Sequence, residues 1–106
     1  MIMKEYIMYD PSHPGEILRE DYMEPLNIDV TSMAEKVMIS RKQLSLILNE
    51  KAGISPLMSL KLAKVFGTSP EFFLRLQQQY DLAKARTEFE KIEKDLPVLY
   101  HEENPA

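Results

Sequence analysis

The sequence predicts an all-α chain of five helices, the last one long, with the two ends open to either short strands or extended tails. Three observations carry this. Apolar residues recur at intervals near 3.6 rather than 2 almost throughout the 106 residues. Starts are marked by a capping residue followed by proline, at Ser12-His13-Pro14, Ser55-Pro56 and Ser69-Pro70-Glu71. Gly67 stands where a helix should stop, since glycine takes a left-handed backbone without a Cβ penalty.

The first helix opens at Pro14, which loses only a donor that a helix start cannot use. Ile17, Leu18, Tyr22 and Leu26 are its expected inner residues, and Pro25 should end or kink it. The second helix is short, with Asp29 as its cap and Met33, Ala34 and Val37 facing inward. Ser40 caps the third, and Leu44, Ile47 and Leu48 form its buried stripe. The fourth begins at Ser55-Pro56 and turns Leu60, Ala63 and Phe66 to the core. The fifth runs from Ser69-Pro70-Glu71 to about Lys94. Met1 to Tyr9 and Leu96 to Tyr100 are the two segments open to strand or tail.

The third helix follows the second after a turn of about three residues, which is the helix-turn-helix arrangement. At about 100° per residue, Lys42, Ser45, Leu46 and Asn49 fall opposite the buried stripe of the third helix. Arg41 and Gln43 flank them at its N-terminal end. A helix that reads DNA needs such a face. Gln and Asn can pair with adenine, Arg and Lys with guanine. The plain alternative is a solvated helix face that happens to be polar.

The net charge is −4, which by itself argues against nucleic acid. The distribution argues the other way. Residues 16–29 hold Arg19 against five acids, and residues 88–103 hold two lysines against six. Between them, residues 36–51 hold Lys36, Arg41, Lys42 and Lys51 against Glu50. DNA responds to the local basic patch rather than to the total.

Other classes find little support. There is no cysteine, so neither a disulfide nor a thiolate metal site is expected. The only histidines are His13, read as part of a helix cap, and His101, in an acidic tail. No glycine-rich phosphate loop is present, so the expectation is a non-enzyme without metal or cofactor. No apolar run approaches a membrane span, and Met1 to Tyr9 lacks the continuous apolar core of a signal peptide. A cytoplasmic protein is expected.

Several stretches are similar to the HigA antitoxin family, a branch of the phage-repressor-like helix-turn-helix proteins. They are His13-Pro14-Gly15-Glu16-Ile17-Leu18, residues 33–45, Ile54-Ser55-Pro56, residues 62–74, and Leu76-Gln77 through Tyr80-Asp81-Leu82. The resemblance spans roughly residues 12–82. Its opening stretch and the run from Gly67 to Gln77 are specific to the branch, whereas the central helix-turn-helix is generic. It implies an antitoxin of a type II toxin–antitoxin pair that dimerises, represses its own operon on double-stranded operator DNA, and binds a HigB-like mRNA-cleaving toxin. By position it assigns Arg41, Lys42, Gln43, Ser45 and Asn49 to the recognition surface, with Lys51 just beyond at a place for phosphate contact.

Three residues depart from the family pattern. Met38 and Glu50 stand where glycine is usual, and Leu46 where a basic residue is common. They keep two rivals open: a toxin-binding module with weakened DNA binding, and a stand-alone transcriptional regulator.

The expected division is an N-terminal extension (1–11), a helix-turn-helix domain (12–81) and a C-terminal helix with acidic tail (82–106). Along the last helix the apolar stripe changes sides near Asp81. Leu76, Tyr80 and Ala83 lie on the first side; Leu74, Leu82, Ala85, Phe89, Ile92 and Leu96 lie on the second. The five from Leu82 onward are the expected contact with a second copy, the alternative being a break that folds them back. The acidic first helix and acidic tail are the expected toxin contacts, since ribonucleases are usually basic.

Overall fold

The computed structural model describes residues 10–100. Five helices follow one another: α1 (Pro14–Ile17), α2 (Val30–Lys36), α3 (Arg41–Leu48), α4 (Pro56–Phe66) and α5 (Phe72–Ile92). The first continues directly as a π-helical stretch, Leu18–Met23, and the last ends in a 3-10 turn, Glu93–Asp95. Among the described residues there is no strand, and Leu96 to Tyr100 is an exposed tail without regular structure. The strand or tail expected at Met1 to Tyr9 lies outside them. No helix described is long and apolar enough to cross a membrane.

The expected caps form. Asp29 accepts from the Ser32 N–H at 2.7 Å, and Ser55 from the Met58 N–H at 3.1 Å. Gly67 stops α4 with φ 73°. The start of α5 is held differently: Glu71 makes no side-chain cap, and buried Ser59 of α4 serves instead. Its hydroxyl donates to the Pro70 carbonyl (2.8 Å) and accepts from the Leu74 N–H (3.2 Å). This fixes the α4–α5 corner through one side chain.

Leu18, Met33, Ala34, Val37, Leu44, Ile47, Leu48, Met58, Leu62 and Phe73 meet in one core. Tyr22 lies over its edge, 5.0 Å from Phe66 and 5.2 Å from Phe73 between ring centres. Two expected core residues are outside it. Leu26 is 59% exposed; Met23 takes its place. The cause is the π stretch, marked by the Glu24 N–H bonding to the Arg19 carbonyl five residues back. That wider turn advances each residue by less than the 100° of an α-helix, which brings Met23 round to the Leu18 side. Leu60 is likewise exposed, because α4 turns Met58, Ser59 and Leu62 inward; Ala63 and Phe66 are half-buried.

Along α5, Phe73 is fully buried and Leu76 packs against the core. Beyond Asp81 little is covered: Leu82, Ala85, Phe89, Ile92 and Leu96 are all exposed, while Leu74, on the same side but nearer the core, is half-buried. The helix does not break at Tyr80-Asp81 and does not fold back.

Candidate nucleic-acid interface

The outward face of α3 is created by what its inward face buries. Leu44, Ile47 and Leu48 are sunk in the core, so Arg41, Lys42, Gln43 and Asn49 are exposed, Ser45 is half-buried and Leu46 stands at the rim. At the start of the helix, Ser40 and Gln43 close a reciprocal cap. The Ser40 hydroxyl accepts from the Gln43 N–H (3.0 Å), and the Gln43 side-chain oxygen accepts from the Ser40 N–H (3.1 Å). The Gln43 side-chain oxygen is therefore engaged in the cap, which leaves its amide nitrogen as the donor and requires the cap to open for the two-bond pairing with adenine.

The far end of α3 is set by α1 and its π-helical continuation. Arg19 donates to the Leu48 carbonyl at 2.7 Å. Gly15 lies so close to the Ile47 carbonyl that a Cβ there would overlap it. The Leu48 carbonyl, at the end where a helix runs out of its own donors, is thus bonded by Arg19, while the Ile47 carbonyl, which accepts from the Glu50 N–H at 3.0 Å, is packed by Gly15. Gly15 is itself held by His13, whose Nδ1 accepts its N–H at 2.9 Å. The His13 ring meets Tyr80 of α5 edge-on at 4.8 Å. Burial holds the imidazole below its ordinary pKa of 6.5, with Lys84 acting in the same direction and Glu50 and Asp81 opposing. Its role is that of a neutral cap.

The predicted residues are not all together. Arg41, Lys42 and Ser45 line a groove with Leu46 and with Val30, the first residue of α2. Gln43 lies on the other side of Leu46, in a hollow with Ile39, Ala52 and Gly53. Leu46 is the ridge between the two. Asn49 lines neither; its amide donates to the Ser45 carbonyl (2.9 Å) and hydroxyl (3.1 Å), leaving its oxygen as the acceptor. Lys51 is exposed just past the helix. Sequence reasoning passed over Val30, although its place directly after the Asp29 cap puts it at the α2 end that abuts α3. It also left Gln77 unread. Gln77 holds the α3–α4 loop to α5 by accepting from the Ile54 N–H at 2.7 Å.

Both joints bracketing α3 carry the conformation that favours glycine. Met38 has φ 59° and Glu50 φ 63°. Each costs about 1 kcal/mol in a residue with a side chain. The carboxylate of Glu50 also sits beside Lys51, on the basic stretch. Glu50→Gly is therefore expected to raise both quantities: folding stability by about 0.5–1 kcal/mol, and affinity for DNA by several-fold at low salt. Urea unfolding and a salt-titrated binding curve measure the two separately.

The helix-turn-helix family model matches residues 20–73. The HigA-1 antitoxin of Vibrio cholerae is 30% identical over 90 residues, 85% of each chain. The chain belongs to the HigA-type branch of the helix-turn-helix family. Virulence-associated protein A of Dichelobacter nodosus is 44% identical over 78 residues, covering 73% of this chain and 76% of that one. The solved structure of the Pseudomonas aeruginosa antitoxin HigA with the higBA promoter aligns with a TM-score of 0.79 at 34% identity, over 85% of this chain and 99% of that one. As in that branch, the HigA-type chain described here is all-helical with a long last helix, and its fold is that of DNA-binding transcriptional regulators.

Proposed function

We propose that the chain is the antitoxin and autorepressor of a type II toxin–antitoxin pair, acting in the cytoplasm as a binding protein rather than an enzyme. A dimer binds the operator upstream of its own gene. Arg41, Lys42, Gln43, Ser45 and Asn49 face base edges, and Lys51 a phosphate. The same chain neutralises a HigB-like mRNA-cleaving toxin, with the acidic α1 and the acidic tail as its contact surfaces.

The carrying observation is the likeness to a 34% identical HigA with its promoter, over 99% of that chain. The basic, outward face of α3 supports it, since a recognition helix must keep its base-reading side free while its other side is locked into the domain. The dimer rests on α5. Leu82, Ala85, Phe89, Ile92 and Leu96 form an exposed apolar stripe beyond the segment 12–81 that we assign to the helix-turn-helix domain. A two-fold operator needs a two-fold protein, and the exposed stripe from Leu82 to Leu96, within the segment 82–106, is our candidate for the contact.

The test is binding to a labelled fragment of the upstream region at several salt concentrations, with wild type and a Lys42→Ala, Asn49→Ala double mutant. Saturable binding that weakens with salt is expected, and a loss of about tenfold to a hundredfold in the double mutant. Tight binding indifferent to both substitutions would move the reading face elsewhere. Glu50 favours one other reading, a toxin-binding module with decayed DNA binding; absence of any sequence preference at all salts would select it.

A further inference from the structure

A second surface is lined by none of the residues assigned to DNA. The outward side of α4 and the turn before α3 form a shallow apolar patch of Met38, Leu60 and Val65, rimmed by Lys36, Lys61 and Lys64. Met38 is 81% exposed and Leu60 54%, the two largest apolar surfaces of the patch. Lys61 lies across the turn, its ammonium 3.4 Å from the Met38 carbonyl. No acidic side chain lines the patch.

The opposite chemistry is found at the end of α5. Glu93 and Asp95 precede Leu96, Val98, Leu99 and Tyr100, all four exposed, Leu99 to 89%. Lys94 is the one base among them. Pro97 favours an extended backbone at the residue before it, and Leu96 has ψ 131°. The segment is thus an exposed apolar strip, extended at Leu96 and led by two carboxylates on the 3-10 turn.

We propose that the patch on α4 is the docking site for segment Glu93–Tyr100 of a second copy of the chain. The charges are complementary, and each side offers apolar surface that its own fold leaves uncovered. The chain cannot make this contact with itself. The α4–α5 corner is pinned at Leu74 by Ser59, and α5 then runs unbroken to Ile92. At 1.5 Å per residue that carries the segment about 27 Å from the corner. A second copy is therefore the source of the segment that would reach the patch. Phosphate contact would use the lysines but leave Met38 and Leu60 without a role, and a basic toxin would be repelled by the rim. This inference rests on the dimer proposed above and names a second contact within it.

Sedimentation equilibrium on the full chain tests it by charge exchange. Lys61→Glu with Lys64→Glu is expected to weaken self-association about tenfold, and Glu93→Lys with Asp95→Lys to do the same. All four together are expected to restore it to within about threefold, a recovery that misfolding could not produce. Four substitutions no better than two would overturn the proposal, as would a dimer indifferent to every exchange. Loss of operator binding by the Lys61, Lys64 variant with self-association unchanged would also overturn it and make the lysines phosphate contacts. A Phe89→Asp variant separates the two levels. If it is monomeric while the charge exchanges change nothing, the dimer stands and this contact alone falls. If wild type is monomeric at all concentrations, both fall.

Discussion

Gly15→Ala is expected to cost about 3 kcal/mol of folding stability, read as a fall in the urea midpoint at unchanged slope. The added methyl would collide with the Ile47 carbonyl, which is backbone and cannot swing aside as a side chain could. Relief requires α1 and the end of α3 to part. That lengthens the 2.7 Å bond from Arg19 to the Leu48 carbonyl and disturbs the His13 cap. Because α3 carries the proposed reading face, operator affinity should fall in conditions where the variant is still folded. Gly67→Ala is the control. Its φ of 73° penalises any side chain, but no atom lies within 4 Å of the added carbon. It should cost only about 1 kcal/mol and leave DNA binding alone.

Phe73→Ala is expected to cost about 3–5 kcal/mol. The ring is fully buried and lies 5.2 Å from Tyr22 and 5.0 Å from Phe72 between ring centres. It is the single fully buried residue of α5, so its removal opens a cavity and takes away the main apolar anchor of that helix, leaving the Ser59, Gln77 and Leu76 contacts to hold it. A protein of this size has about 5–15 kcal/mol in reserve, and the variant should be partly unfolded near 37 °C. Phe73→Leu, which keeps most of the volume, should lose far less. Thermal unfolding followed by circular dichroism distinguishes them. If the alanine variant melts like wild type, the placement of α5 against the core is wrong.

Helix starts were legible because capping is local chemistry. Asp29, Ser40 and Ser55 each bond a donor three residues ahead in the chain, and the sequence shows both partners. The inner face of α3 was legible for the same reason: eight residues at a regular 100° leave little choice. Leu26 and Leu60 were misplaced where that regularity failed or gave no anchor. The π stretch at Leu18–Met23 shifts the phase of the residues at its end, and the phase of α4 is set by Ser59 meeting the α5 corner, a contact eleven residues away. The left-handed joints at Met38 and Glu50 were foreseeable only through the family's glycines. The groove beside α3 was partly hidden, because Val30 joins it from another helix and no spacing rule connects residues across a turn. Nor could the sequence show that the Asn49 amide is already bonded back to Ser45.

The bare apolar stripe of α5 bears on gene dosage. If the operator is read only by paired copies, its occupancy follows the square of the chain's concentration for as long as single copies predominate and most operator is unbound. A roughly threefold drop in supply then becomes a roughly ninefold drop in bound operator, by mass action alone. Promoter control would be steep without any effector, and the steepness would reside in Leu82, Phe89 and Ile92, far along the chain from the helix proposed to meet the DNA.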